Sequence, residues 1–197
     1  MQKNIPRIYC FVSEYNLSDL SKLSKNINII YRNYNNIDHQ KNIYNLKLFC
    51  KKYNHKLYLS NDIKSSIKLG LDGVYIPSFN KQINYCRAFS LPKSFKIIGS
   101  AHSISEIIVK QRQLCNEVFL SPVFKVLKTK KYLGVIKFNL IALNSALDLI
   151  ALGGINQKNF KKLKLFKAKG FASISWAKKN GLRNILRPLQ YFEYLND

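Results

Sequence analysis

A chain of 197 residues, 47% of them hydrophobic, is one domain by size and sits near the lower edge of what a (β/α)8 barrel needs, roughly 200 residues. Its longest apolar runs fall far short of the roughly 20 residues that span a bilayer, and residues 1–6 lack the apolar stretch of a secretory signal, so a cytoplasmic protein with no membrane partner is expected. The formal charge of +23 admits nucleic acid or an anionic metabolite as partner, yet the lysines run from Lys3 to Lys179 without forming a tract, and no RNA-binding signature accompanies them.

Short apolar runs alternate with longer amphipathic ones, the pattern of repeated βα units. The first strand is predicted over 7–12, with a short helix over 19–25. A strand over 27–31 leads to a helix over 38–52, where Ile43, Leu46 and Phe49 recur at helical spacing. A strand over 56–60 and a short helix over 63–69, ended by Gly70, follow. Next come a strand over 73–76 and a helix over 80–89. A strand over 96–100 precedes a helix over 105–114, whose approach, Ser103-Ile104-Ser105-Glu106, has the form of a capping box. The sixth strand, 117–120, passes through a long basic loop to a helix over 135–143. The seventh, 148–152, is closed by Gly153-Gly154 and followed by a helix over 156–167. A strand over 171–175 and a helix over 184–195 end the series. Eight consecutive βα units predict an α/β fold, a single (β/α)8 TIM barrel over 1–197; an open doubly wound sheet is the alternative that pattern alone leaves. Cys10, Cys50, Cys86 and Cys115 are widely separated and lie at no metal-ligand spacing, so buried free thiols are expected.

In such a barrel the chemistry lies at the C-terminal ends of the strands. Arg32 follows the second strand, and Asn61 and Asp62 the third. Pro77, Ser78 and Asn80 follow the fourth, and Ser100 and His102 close the fifth. Lys128, Lys130 and Lys131 lie beyond the sixth. Gly153-Gly154, before a helix, would let backbone N–H groups approach a phosphate, with Ile174-Ser175 as the second half of that site; a plain helix-start turn is the alternative. Arg32 would clamp a diphosphate bidentately, or stand as an ordinary exposed arginine. Asp62 would hold Mg2+ through a carboxylate oxygen, or simply cap the next helix.

Several fragments, in order and at successive strand ends, resemble the thiamine phosphate synthase/TenI superfamily. Asn61-Asp62 with Leu69-Gly70-Leu71-Asp72-Gly73-Val74-Tyr75-Ile76 is similar to "ND…lgADGVHLGQ". Ile97-Ile98-Gly99-Ser100-Ala101-His102-Ser103 is similar to "iiGvSAHs", and Ser121-Pro122-Val123-Phe124 to "GPVFpT". Ala151-Leu152-Gly153-Gly154-Ile155 followed by Asn159 resembles "aiGGI…N", and Gly170-Phe171-Ala172-Ser173-Ile174-Ser175 resembles "GvAviS". The resemblance implies coupling of a pyrimidine methyl diphosphate to a thiazole phosphate with Mg2+. It implies that Arg32 and Asn61 touch the diphosphate and that Ser100 lies near the diphosphate or pyrimidine. Asp62, with Asn80 at the place of a second carboxylate, would ligate Mg2+. Gly153, Gly154, Ile174 and Ser175 would hold the thiazole phosphate, and Lys128 or Lys130 would reach the substrate.

The departures are as informative. The family's "QlRxK" reads Ile30-Tyr31-Arg32-Asn33-Tyr34, so its glutamine is Ile30 and its lysine Tyr34. Its second metal carboxylate is Asn80, its "GQ" turn Pro77-Ser78, and its "pTxSK" Lys125-Val126-Leu127-Lys128-Thr129. The histidine of TenI-like tautomerases is replaced by Pro122, and His102 is expected as a loop or core residue. The monophosphate end is thus kept and the diphosphate end altered. Three functions follow as expectations: a divergent synthase, a TenI-like binder of a thiazole phosphate or related ester, and a basic nucleic-acid-binding protein. Assembly into a homo-oligomer is left open.

Overall fold

A computed structural model of the chain describes residues 6–23, 27–34, 38–127, 129 and 131–173. The strands are β1 Arg7–Val12, β2 Ile27–Tyr31, β3 Lys56–Ser60, β4 Gly73–Ile76, β5 Lys96–Ala101, β6 Glu117–Leu120, β7 Asp148–Leu152 and β8 Gly170–Ser173. All pair in parallel with their sequence neighbours, and β1 also pairs with β8, Ile8 opposite Phe171, which closes the barrel. The helices are α1 Leu17–Leu20, α2 His39–Tyr53, α3 Ile63–Lys68, α4 Ile104–Arg112 and α5 Gly134–Leu143, with a 3-10 helix at Phe160–Leu165. The expected TIM barrel is therefore present.

The period-two alternation of the strands sorts the core into two layers. Tyr9, Phe11, Ile30, Tyr58, Tyr75, Ile98, Phe119 and Ile150 fill the barrel interior. Ile8, Cys10, Val74, Ile76, Ile97, Val118 and Leu120 face outward into the packing beneath the helices. At the N-terminal end, Glu117 is fully buried; its carboxylate accepts from Arg7 at 2.8 Å and from the Tyr9 hydroxyl at 2.5 Å. Arg7 also binds Asp148, and Lys96 stands 3.9 Å from Glu117. This ionic cluster ties β1, β5, β6 and β7 at the end of the barrel opposite the expected site.

A glycine sits at the β1–β8 seam. A Cβ on Gly170 would lie 1.9 Å from the Arg7 carbonyl oxygen on the neighbouring strand. Gly170→Ala must force β1 and β8 apart, at a cost of about 3 kcal/mol or about 10 °C in Tm. Thermal unfolding measures this directly, and an unchanged Tm would contradict the packing at the seam.

Some predicted elements differ. Residues 83–88 form turns, bonded Tyr85 N to Gln82 O and Arg87 N to Asn84 O, and the helix expected over 80–89 does not form. Their approach is held instead by side chains from α4. The helix expected over 156–167 is reduced to the 3-10 turn, because Asn156 and Asn159 bond locally to each other and to Gly154. The first helix is a single turn that begins earlier than expected, capped by Asn16, whose Oδ1 accepts from the Asp19 amide at 3.2 Å. The expected cap of α4 is present: Ser103 accepts from the Glu106 amide, and Glu106 accepts from the His102 amide. All four cysteines are buried and free, as expected. The helix expected over 184–195, together with Ile174, Ser175, Trp176, Lys128 and Lys130, lies outside the described residues.

Candidate active site

The inward phase of each strand sets what stands at the mouth. Arg32 follows Ile30 by two residues and so enters the same interior face; its guanidinium lies 5.0 Å from the Phe11 ring centroid. Tyr75, inward on β4, packs edge-on against Phe11 with centroids 5.3 Å apart. Its hydroxyl donates to Ser100 Oγ at 2.9 Å and also faces Arg32. Burial pushes the Tyr75 hydroxyl pKa up, and the bonds to Ser100 and Arg32 draw it back. Arg32 and Ser100, candidates from two separate strands, are thus joined through Tyr75.

A second group stands on the adjacent rim. Asn61 takes a left-handed backbone conformation, φ 57°, which asparagine tolerates; its amide donates to Tyr75 O at 2.8 Å. The Asn80 amide donates to Asn61 Oδ1 at 2.7 Å, while Asn80 Oδ1 accepts from the Gln82 amide at 3.0 Å. Asp62 caps α3, accepting from the Ser65 amide at 3.0 Å. Its other carboxylate oxygen has no donor among the described residues. One carboxylate beside neutral amides fits Mg2+ that keeps several waters and takes further ligands from substrate phosphates. After β2 and β4, Tyr34 bonds Ser60 Oγ at 3.0 Å and meets Phe79 edge-on, so two exposed aromatics stand at these strand ends.

The third group lies after β7. Gly153 and Gly154 both have positive φ, 93° and 72°. A Cβ on Gly154 would come 2.6 Å from the Phe124 carbonyl oxygen, so the loop after β6 packs directly on this turn. Phe124 N bonds Gly153 O at 3.1 Å, and Asn159 and Asn156 amides hold the Gly154 carbonyl at 2.8 and 3.2 Å. The Gly154 N–H has no acceptor among the described residues. His102 is occupied elsewhere: its Nδ1 lies 2.9 Å from Ser121 O, in the loop role expected of it.

A family model described as thiamine monophosphate synthase matches residues 24–177. The chain belongs to this family. Two thiamine-phosphate synthases from strains of Prochlorococcus marinus are 37% identical over 123 residues and 31% identical over 133 residues. These stretches cover 60% and 66% of this chain but only 35% and 37% of the relatives' own length. The fold also matches thiamine phosphate pyrophosphorylase from Pyrococcus furiosus, with a TM-score of 0.77 at 15% identity, covering 98% of this chain and 97% of that one.

Against the thiamine monophosphate synthase pattern, Tyr75 is the residue that strand-end reasoning passes over. It stands where "GVH" has histidine, and its inward phase on β4 was the available signal. Lys110 and Gln113, buried behind the β4 loop, were hidden within an ordinary amphipathic helix.

Proposed function

We propose that the chain is a divergent thiamine phosphate synthase, joining a pyrimidine methyl diphosphate to a thiazole phosphate. The observation that carries this reading is the Arg32–Tyr75–Ser100 run across the barrel mouth. Arg32 would hold the diphosphate through its guanidinium fork. Because Tyr75 donates to Ser100, the Ser100 hydroxyl keeps its own hydrogen to give to a diphosphate oxygen. Asn61, oriented by Asn80, would bind the same group. Asp62 would hold Mg2+, which supplies positive charge to the diphosphate. The C–O bond breaks with its electron pair leaving on the diphosphate, and the thiazole nitrogen supplies the pair for the new C–N bond. Arg32 and Ser100 oppose the charge that builds on the departing oxygen. Gly154, with Ile174 and Ser175, would anchor the thiazole phosphate, and Lys128 or Lys130 would bind the substrate. An assay with both substrates and Mg2+ tests the reading, thiamine phosphate being the expected product.

A second reading is favoured by the side chain of Asn80, which is engaged by Asn61 and Gln82: a TenI-like protein that binds a thiazole phosphate without synthesis. No product at high enzyme concentration, with thiazole phosphate still bound, would select it over the synthase. Both readings predict that Gly154→Glu weakens thiazole phosphate binding by about a hundredfold. It sets a carboxylate against the anion at a position whose backbone and surroundings reject any Cβ. Calorimetry of the variant measures this, and unchanged affinity would move the phosphate away from this turn.

A further inference from the structure

The inner face of α4 and its C-terminal turn carry two polar residues, Lys110 and Gln113, with no solvent exposure. The Lys110 ammonium donates to Pro77 O at 2.7 Å, Asn80 O at 2.8 Å and Gln113 Oε1 at 2.9 Å. All three of its hydrogens are thereby used, and none of these acceptors is a carboxylate. Gln113 Nε2 donates to Asn80 O at 3.1 Å and Gln82 O at 3.0 Å. The two side chains therefore gather the carbonyls of residues 77, 80 and 82; those of 77 and 82 also accept from the Asn80 and Tyr85 amides, whereas that of Asn80 is held by Lys110 and Gln113, in a segment that forms no helix.

Room for this arrangement is built into β5. A Cβ on Gly99 would lie 2.9 Å from Lys110 Cγ and Cδ and from Cys115 Sγ, so the glycine admits the lysine stem. Burying a cation whose direct partners are all neutral is unfavourable, and an apolar residue would fill the space behind the strand at no such cost. What an apolar residue would lose is the grip on the β4 loop. That loop carries Asn80, whose amide donates to Asn61 Oδ1 at 2.7 Å, next to Asp62.

We propose that Lys110, assisted by Gln113, is a positioning residue for the diphosphate end of the site: from behind the barrel wall it fixes the β4 loop so that Asn80 orients Asn61 beside Asp62. The inference rests on the synthase reading of that end. It separates the two halves of the site, since nothing in the Lys110 cluster touches the Gly153-Gly154 turn.

The test is calorimetric titration of the full chain with inorganic diphosphate plus Mg2+, and separately with thiazole phosphate, for wild type, Lys110→Met and Gln113→Leu. Lys110→Met is expected to weaken diphosphate binding at least tenfold and to leave thiazole phosphate binding within twofold; Gln113→Leu shifts the same ligand in the same direction, and carries the test if Lys110→Met does not fold. In the synthase assay KM for the diphosphate substrate rises while KM for thiazole phosphate holds. A merely structural role would move both ligands together, and that result overturns the proposal. Wild type that binds diphosphate, with variants that bind it equally, overturns the inference and leaves the synthase reading standing. Wild type that binds no diphosphate removes that reading and the inference with it.

Discussion

Arg32→Ala is expected to lower kcat/KM for the condensation by about two to three orders of magnitude, the range found when one donor to a developing oxyanion is removed. The guanidinium sits over the Phe11 ring and against the Tyr75 hydroxyl, so its direction is set before substrate arrives. Alanine removes the two-pronged donor, the cation and the partner of Tyr75 together. Lysine restores charge alone and should recover only part of the rate, because an ammonium cannot present two parallel donors. Stability should change little by comparison, since Arg32 lies at the rim and is only partly buried. Parallel measurement of kcat/KM and Tm separates the two effects. A loss below fivefold would remove Arg32 from the reaction.

The barrel was readable because its strands carry their own punctuation. The strands at 27–31, 56–60, 73–76, 117–120 and 148–152 have the bounds expected from apolar runs ended by polar, glycine or proline residues. The helix expected over 156–167 gave way to local asparagine bonding, the one over 80–89 to groups from elsewhere in the chain. A helix over 80–89 is consistent with local spacing, but local spacing does not see Lys110 and Gln113 arriving from α4 to take the carbonyls. At the site, the residues after the strands were legible as positions, but their pairings were not. Asp62 illustrates this: one oxygen does what an N-cap does, and the proposal that the residue also holds Mg2+ rests on its place after β3. That Arg32 and Ser100 meet through Tyr75, or that Asn80 holds Asn61, follows from barrel geometry between strands. The charge of +23 gave the least guidance, since exposed lysines recur on α2, on α3 and along 158–169.

Raising the pH above about 9 is expected to unfold the protein, with stability falling by about 5 kcal/mol or more between pH 9 and 11. Burial pushes the thiols of Cys50 and Cys115 up to about 12 and that of Cys86 to about 11, from an ordinary value of 9.0. Burial and the Glu117 carboxylate raise Tyr9, and burial with Asp72 and Glu117 raises Tyr58. In each case the folded chain holds a proton that the unfolded chain releases. This contribution is complete below the unfolded pKa and is lost as pH climbs toward the folded one. Lys110 acts in the opposite sense. Burial lowers it from 10.5 to about 8, only partly offset by Cys115, Glu106 and Cys86, so its penalty is relieved between pH 8 and 10.5. One group gaining at about 1.4 kcal/mol per pH unit meets three thiols losing at the same rate each, so the losses win above pH 9. Urea denaturation midpoints from pH 7 to 11, under reducing conditions, should therefore rise slightly or stay level to about pH 9 and then fall steeply. Cys115→Ala should flatten the falling limb by roughly one group's share, and Lys110→Met should abolish the gain before it. A wild-type midpoint that holds steady to pH 11 would mean the three thiols titrate in the folded chain as they do in water, which their burial in this barrel does not permit.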